Sequence, residues 1–393
     1  MQTITTTDAL AAFCAEAAGE PFVTVDTEFL RERTYYSKLC LVQLALPGRG
    51  NDRAVLVDPL AEGIELAPLF DLMRDRSVIK VFHAARRDVE IFWIDGAVIP
   101  QPLFDTQIAS MVCGFGEQVG YETLVRKVAR ASLDKTSRFT DWSQRPLTEA
   151  QKRYALADVT HLRVIYEHLA AELEKNGRTH WLAEEMEVLT SPETYMTRPE
   201  EAWQRIKTRG QSGKFMAAVK ELARFREEMA QSRNIPRGRV FKDDALLELA
   251  STRPESLEAL SRSRLLLREA RRGEVAEGIL AAIRAAQEMP PEEWPTPLNG
   301  NNGSMQVNPA LADLLRVLLK ARSEDSGVAQ KLIASSADLD AIAAGQRDVP
   351  ALRGWRSELF GADALRLCRG DLALTAKGAQ VRVIELPARD PAV

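Results

Sequence analysis

The stretch Pro21–Leu30, PFVTVDTEFL, sets an apolar run, Phe22–Val25, directly before two carboxylates, Asp26 and Glu28, at positions i and i+2. A β-strand alternates its side chains, so both acids share one face. Two carboxylates on one face repel unless a cation lies between them, and hard oxygen donors suit Mg2+ or Mn2+. A solvated strand end would carry the same letters, so the D-x-E pair gains meaning only from partners elsewhere in the chain.

Reading outward, Cys40–Leu46, Ala54–Val57 and Val78–Phe82 are further short apolar runs of β type. Three of the four runs come before any substantial helix. That order predicts neighbouring strands joined by hairpins, with parallel strands added through later helices, hence a mixed α/β sheet. From about residue 178 the text turns Leu/Ala/Glu/Arg-rich and reads as all-helical. Met289–Ser304, MPPEEWPTPLNGNNGS, concentrates Pro, Gly and Asn and marks a domain boundary. The helical blocks on either side share a loose pattern, Gly238–Val240 before Leu246–Leu247 and Ser326–Val328 before Leu332–Ile333, too weak to establish a duplication. The alternation within Ala379–Leu386 predicts a short terminal strand.

A hydrophobic fraction of 45% over 393 residues supports several ordinary cores rather than disorder. No window approaches the roughly 18 apolar residues of a membrane span, and MQTITTTDALAAFCAEAAGE lacks the basic start of a secretory leader. Cys14, Cys40, Cys113 and Cys368 are scattered without a C-x-x-C pair, so a reduced cytoplasm is the expected compartment and no membrane partner is expected. A net charge of −4 argues against a polyanion partner, but Trp203–Lys242 holds eleven Lys/Arg against three acids. A second cluster, Arg262, Arg264, Arg268, Arg271 and Arg272, follows. Segregated charge of this kind can bind phosphates locally or simply solvate a helix face.

Thr148 and Gln151 have capping-box spacing, and the helix they open predicts one face through Tyr154, Ala157, Asp158, His161 and Ile165. Asp158 interrupts that inward stripe, where an unpaired carboxylate costs several kcal/mol, so it needs a metal, a cation or solvent. Tyr154 lies one turn earlier on the same face. Asp88 follows the strand VIKVF, and strand ends are where open α/β sheets put their ligands. Asp105, in FDTQIA, competes for that role but reads equally as a helix cap or a support behind the site.

In order and spacing, Asp26-x-Glu28, Asp88 after FHAA, and Tyr154-x-x-x-Asp158 resemble the three exonuclease motifs of the DEDD superfamily in its tyrosine-bearing subgroup. DTEF, FHAARRDVE, FDTQIAS, LDKTSRFTDWSQRPL and YALADVTHL resemble ribonuclease D, and the helical blocks around 210–287 and 308–385 resemble that family's paired C-terminal HRDC domains. The resemblance implies a ribonuclease H-like exonuclease domain over 1–175, HRDC-type helical domains over 205–288 and 307–388, and a linker over 289–306. It further implies two divalent ions, Mg2+ or Mn2+, one held by Asp26, Glu28 and Asp158 and a second by Asp26 and phosphate oxygens. Asp88 would then act mainly through bound water, and Tyr154 would orient the attacking water. The implied activity is 3′→5′ trimming of RNA ends, precursor tRNA among them, with release of 5′-mononucleotides; protein partners are not indicated.

For substrate contacts, Phe29 could wedge against the terminal base or pack in the core, and His83 could meet phosphate or serve structurally. Lys135, Arg138 and Arg145 offer phosphate contacts and Trp142 a stacking face, with surface charge and a buried anchor as the alternatives. Two rival functions remain open: a DNA exonuclease of the same superfamily, since two-metal chemistry does not choose the sugar, and a noncatalytic RNA-binding adaptor.

Overall fold

Continuous apolar runs become strands when both faces of a sheet are covered, and KLCLVQLA, Lys38–Ala45, is buried at every position after its lysine. The computed structural model describes residues 2–134, 136–138, 140–208, 212–295 and 307–387. The elements run β1 (Gln2–Ile4), α1 (Thr7–Ala17), β2 (Phe22–Leu30), β3 (Lys38–Ala45), β4 (Ala54–Val57), α2 (Ala67–Arg74), β5 (Ile79–Phe82), α3 (Arg86–Gly96), β6 (Leu103–Asp105), α4 (Thr106–Val112), α5 (Tyr121–Leu124), α6 (Glu149–Lys175) and α7 (Thr179–Leu189). Six strands form one sheet in the order β1-β4-β3-β2-β5-β6. The sheet is mixed: β3 pairs β4 antiparallel, whereas β1 with β4, β2 with β5, and β5 with β6 are parallel. Strands β2, β3 and β4 do follow one another without a helix, but α1, capped by Thr6, precedes all three and corrects the expected order. Its segment mixes Ala with polar residues, which weakens the apolar stripe by which a helix is read.

The 27-residue helix α6 crosses the sheet and is tied to it by polar bonds. Thr24 Oγ1 donates to the Val159 carbonyl at 2.9 Å, and buried Arg163 donates to the Leu46 carbonyl at 2.9 Å. Thr148 and Gln151 form the predicted capping box. The buried stripe runs through Gln151, Ala155, Asp158, Leu162, Ile165 and Leu169, rotated from the expected face, so Tyr154 and His161 stand half-buried at its border.

Contacts divide the chain into two compact units, one of residues 1–28, 40–194 and 305–393, the other of residues 29–39 and 195–304. The second unit contains α8 (Gly213–Ser232), α9 (Arg237–Val240), α10 (Asp243–Thr252), α11 (Leu257–Ser261) and α12 (Gly273–Glu288). Its core gathers Phe215, Val219, Leu222, Leu246, Leu249, Ile279 and Ile283. Helices α8 and α12 approach closely because Gly278 has no side chain: a Cβ there would stand 2.1 Å from the Phe225 ring. Of residues 289–306, those up to 295 are described, and the Trp294 indole donates to the Met289 carbonyl at 3.0 Å; 296–306 lie outside the described residues.

The C-terminal block comprises α13 (Pro309–Ser326), α14 (Gln330–Ile333), α15 (Ser336–Ala343), α16 (Gly354–Arg356), α17 (Ala362–Arg369), β7 (Leu372–Lys377) and β8 (Gln380–Glu385). It is not all-helical, since β7 and β8 pair antiparallel as a terminal hairpin, of which only the second strand had been legible. The loose repeat does not align either: Val240 ends α9, whereas Val328 lies two residues before α14. This block packs within the same unit as the sheet. Trp355 stacks on Trp181 of α7 with centroids 4.9 Å apart, and its indole donates to Glu185 at 2.9 Å. Arg178 donates to the carbonyls of Val112 and Ser326, and the Ala329 amide donates to Met111.

Trp355 is fully buried, so Trp355→Ala leaves both a void and a carboxylate without its indole donor. A loss of about 3–5 kcal/mol is expected, seen in urea unfolding as an earlier transition of the sheet-containing unit. An unchanged midpoint would show that the C-terminal block does not brace that unit.

Candidate active site

Strand β2 delivers Asp26 and Glu28, and α6 delivers Asp158 across from them. One carboxylate oxygen from each lies within 4.8 Å of the other two. Asp26 and Glu28 are half-buried and Asp158 is 9% exposed. Burial, followed by the charges of Asp158, Asp88 and Glu28, raises Asp26 well above the usual carboxylate range. Burial with the fields of Asp158 and Asp88 pushes Glu28 up to about 9. Asp158 is raised by burial to about 7, opposed by a hydrogen bond from Tyr154 and by the charge of Arg138. One guanidinium against this many acids leaves the cluster short of positive charge, and the donors are all hard oxygens. The residues therefore fit a divalent cation.

Asp88 stands apart from the tight set. On the first turn of α3, it is 6% exposed and accepts a hydrogen bond from the Thr27 hydroxyl, while its charge acts on Asp26 and Glu28. The turn before α3 is shaped by Asp105, whose carboxylate accepts from the amides of Ala84, Ala85 and Gln107 at 3.0, 2.8 and 2.8 Å. Ala84 has φ of +59°, a conformation costly for a residue with a Cβ, and these bonds hold it there. Asp105 is thus both the cap of α4 and the latch of the turn that launches Asp88.

Tyr154 lies one turn before Asp158 with its ring 6.0 Å from that of Trp142. Burial, then the charges of Asp158, Glu28 and Asp26, raises its phenol far above the ordinary value, so it is a neutral donor at any ordinary pH. Asp26, Tyr154 and Asp158 open into a cavity of about 280 Å³ also lined by His83, Tyr121 and Arg138. That volume lies near the lower end for ligand pockets and suits one unit of a polymer rather than a duplex.

The expected substrate contacts separate on this geometry. His83 lines the cavity with Nδ1 3.0 Å from Thr106 Oγ1, and burial lowers it to about 4, so it carries no charge for a phosphate at neutral pH. Phe29 is half-buried immediately after Glu28. Trp142 is 2% exposed and offers no open face for a base; it backs the Tyr154 ring instead. Arg145 is likewise corrected to a structural staple. Its guanidinium forks onto Asp58 at 2.6 and 2.7 Å and donates to the carbonyls of Cys40, Trp142 and Gln144, which occupies its N–H groups. Lys135 lies outside the described residues. Tyr121 was not anticipated: its hydroxyl donates to the Asp158 carbonyl at 2.7 Å and fixes that turn of α6. A single tyrosine in GYETL carries no periodic signal that could have revealed it.

A family model described as 3′-5′ exonuclease matches residues 1–174, and an HRDC domain model matches 215–283. The chain is 61% identical to a ribonuclease D of Jannaschia sp. (strain CCS1), covering 98% of this chain and 99% of that one. It is 52% identical to a ribonuclease D of Nitrobacter hamburgensis over 98% and 99%. Among solved structures, Escherichia coli RNase D, titled an exoribonuclease involved in structured RNA processing, superposes with a TM-score of 0.81 at 31% identity, covering 94% of this chain and 98% of that one.

The raised carboxylates have a consequence for stability without metal. A folded-state value above the unfolded one means that the native protein binds more protons, so stability falls as pH rises between 4.5, the ordinary value of Glu28, and about 9. In chelator, the thermal midpoint should decline across that window. Asp26→Asn should flatten the decline and raise the midpoint at its alkaline end, and added Mg2+ should restore the wild type but not the variant. A pH-independent midpoint in chelator would refute the crowding of these acids.

Proposed function

The chain belongs to the ribonuclease D family and is a metal-dependent 3′→5′ exoribonuclease; from that premise we propose that Asp26, Glu28, Asp88, Tyr154 and Asp158 carry its chemistry. The observation that carries this reading is the convergence of Asp26, Glu28 and Asp158 within 4.8 Å. These three would hold the ion, Mg2+ or Mn2+, and Asp88, engaged with Thr27, would act from behind them. Bound divalent ions supply the positive charge that stabilises the entering and leaving oxygens of an in-line displacement at phosphorus. Tyr154 donates to Asp158, which leaves its oxygen lone pairs to accept from the attacking water and align it. Arg138 lines the same cavity, and its guanidinium would receive the scissile phosphate. Attack at phosphorus breaks its bond to the preceding 3′ oxygen and releases a 5′-mononucleotide.

The substrate class that suits this reading is a structured RNA with a single-stranded 3′ extension, precursor tRNA included. The cavity admits one terminal nucleotide, and exposed cations lie outside it. Several arginines of the basic segment are consumed internally: Arg224 pairs with Glu221, Arg226 with Asp243 and Arg237 with Glu227. Exposed Arg205, Lys207, Arg239, Arg264, Arg268 and Arg272 remain as the better phosphate contacts. The domain arrangement in keeping with this is an exonuclease over 1–175, an HRDC-type domain over 205–288, a linker over 289–306 and a second HRDC-like block over 307–388. In support, α13, α14 and α15 repeat the long, short, intermediate order of α8, α9 and α10. A cytoplasmic location agrees with four cysteines that form no disulfide, and no helix among the described residues is long and apolar enough to cross a membrane.

Asp26→Asn or Asp158→Asn should reduce cleavage of single-stranded RNA below about a tenth of wild type with metal present, and Tyr154→Phe should lower kcat roughly 10- to 1000-fold. Full turnover by any of the three, with chemistry rate-limiting, would remove that residue from the mechanism.

Replacing Arg264, Arg268 and Arg272 by Ala should weaken binding of a tRNA precursor and flatten its salt dependence, each lost contact reducing the slope by about 0.7–0.9. An unaltered slope would mean that these arginines only solvate the surface.

A further inference from the structure

The helical unit has a cavity of its own, about 460 Å³ in volume, lined from the start of α8, the end of α10 and the end of α12. Trp294, Lys214 and Arg253 line it together with Glu255 and Gln287. The Trp294 indole is fixed in place. Its N–H donates to the Met289 carbonyl at 3.0 Å, and its six-membered ring lies against Gly213, where an added Cβ would stand 2.2 Å from the ring. The side chain is only half-buried, and what is not covered by α8 meets the cavity. Lys214 and Arg253 are exposed and, unlike Arg224, Arg226 and Arg237, form no ion pair among the described residues. Each carries a local cost. Lys214 stands in the first turn of the 20-residue α8, where the positive end of the helix repels a cation. The charge of Arg253 suits the end of α10, but its φ of +45° is a conformation that glycine takes freely and arginine does not.

We propose that this cavity is a subsite for one nucleotide of single-stranded RNA, its base stacked on Trp294 and its phosphate held by Lys214 and Arg253. The ligand class rests on the exoribonuclease activity of the chain; the roles of Asp26, Glu28 and Asp158 do not enter. A fixed aromatic face beside unpaired cations is what single-strand recognition needs, since every base has a π face and every nucleotide a phosphate. The cavity is within the size range of ligand pockets. A phosphate there turns the cost of Lys214 into a gain, because the cation and the positive end of α8 then attract the same anion. An arginine kept where the backbone suits glycine is accounted for by a use for its side chain. Among the described residues lining the cavity Glu255 is the one acid, and it accepts from Gln287 Nε2 at 3.1 Å, so the two cations leave the site positive. Trp294 lies beyond the matched span 215–283. The segment read as a linker thus takes part in binding as well as spacing.

Full-length Trp294→Leu, Trp294→Phe, Lys214→Gln and Arg253→Gly are compared with wild type for binding of a labelled single-stranded oligoribonucleotide, by fluorescence anisotropy over a range of salt and alongside thermal unfolding. Chelator is present to prevent cleavage. Leucine keeps apolar bulk against Gly213 without a π face, phenylalanine restores a face, glutamine removes a charge, and glycine removes the guanidinium while relieving the left-handed backbone. The expected result is a Kd raised roughly 5- to 100-fold in Trp294→Leu and largely rescued in Trp294→Phe. Each cation variant should flatten the salt slope by about 0.7, and Arg253→Gly should unfold no earlier than wild type. Should Trp294→Leu unfold early, the two cation variants, both at exposed side chains, still decide. Wild-type Kd in Trp294→Leu, equal losses in Trp294→Leu and Trp294→Phe, or an unaltered salt slope in both cation variants would overturn the proposal. Failure of wild type to cleave the same oligomer with Mg2+ present would instead overturn the activity from which the ligand class is taken.

Discussion

Carboxylates crowded into one half-buried cleft repel each other, and much of the surrounding architecture can be understood as holding them there despite that repulsion. Asp26 and Glu28 cannot separate because they share a strand whose neighbours are buried on both faces. Asp158 cannot withdraw because its helix is bonded to the sheet through Thr24 and Arg163, and its own carbonyl is held by Tyr121. Folding alone leaves this arrangement unfavourable, with acids lifted far from their ordinary range. A divalent cation among them would offset that repulsion, and the relief would add to the affinity of these carboxylates for metal.

The residues around the cluster act by orientation more than by charge. Asp105 latches a turn with a left-handed alanine so that α3 begins where Asp88 meets Thr27. Trp142 backs Tyr154, and Arg145 locks the loop that carries Trp142 onto Asp58. Aromatic and cationic residues near an acidic cleft invite assignment to a substrate, yet here Trp142 is buried behind Tyr154 and Arg145 spends its bonding capacity on the framework. The same holds for the helical unit, where arginines counted as a basic surface are drawn into pairs with Glu221, Glu227 and Asp243. Charge counted along a chain overstates the charge that a polyanion can meet.

What the sequence determined by itself follows from short-range regularities. Alternation placed Asp26 and Glu28 on one face, capping chemistry located the start of α6 at Thr148, helical spacing joined Tyr154 to Asp158, and apolar runs located four of the six strands of the sheet. Each of these depends on neighbours within a few positions, and the order of the motifs was enough to identify the family. Sequence could not show that Asp88 would bond Thr27 outside the tight cluster, that Tyr121 would grip the Asp158 carbonyl, or that Arg145 would turn from substrate to staple. It could not show that Phe29–Leu39 belongs with α8, nearly two hundred residues later, or that the C-terminal block stacks Trp355 on Trp181 of the sheet-containing unit. Those outcomes were decided by the tertiary structure, because a buried polar group takes the partner that packing brings within about 3 Å, and that partner's distance along the chain leaves no periodic trace.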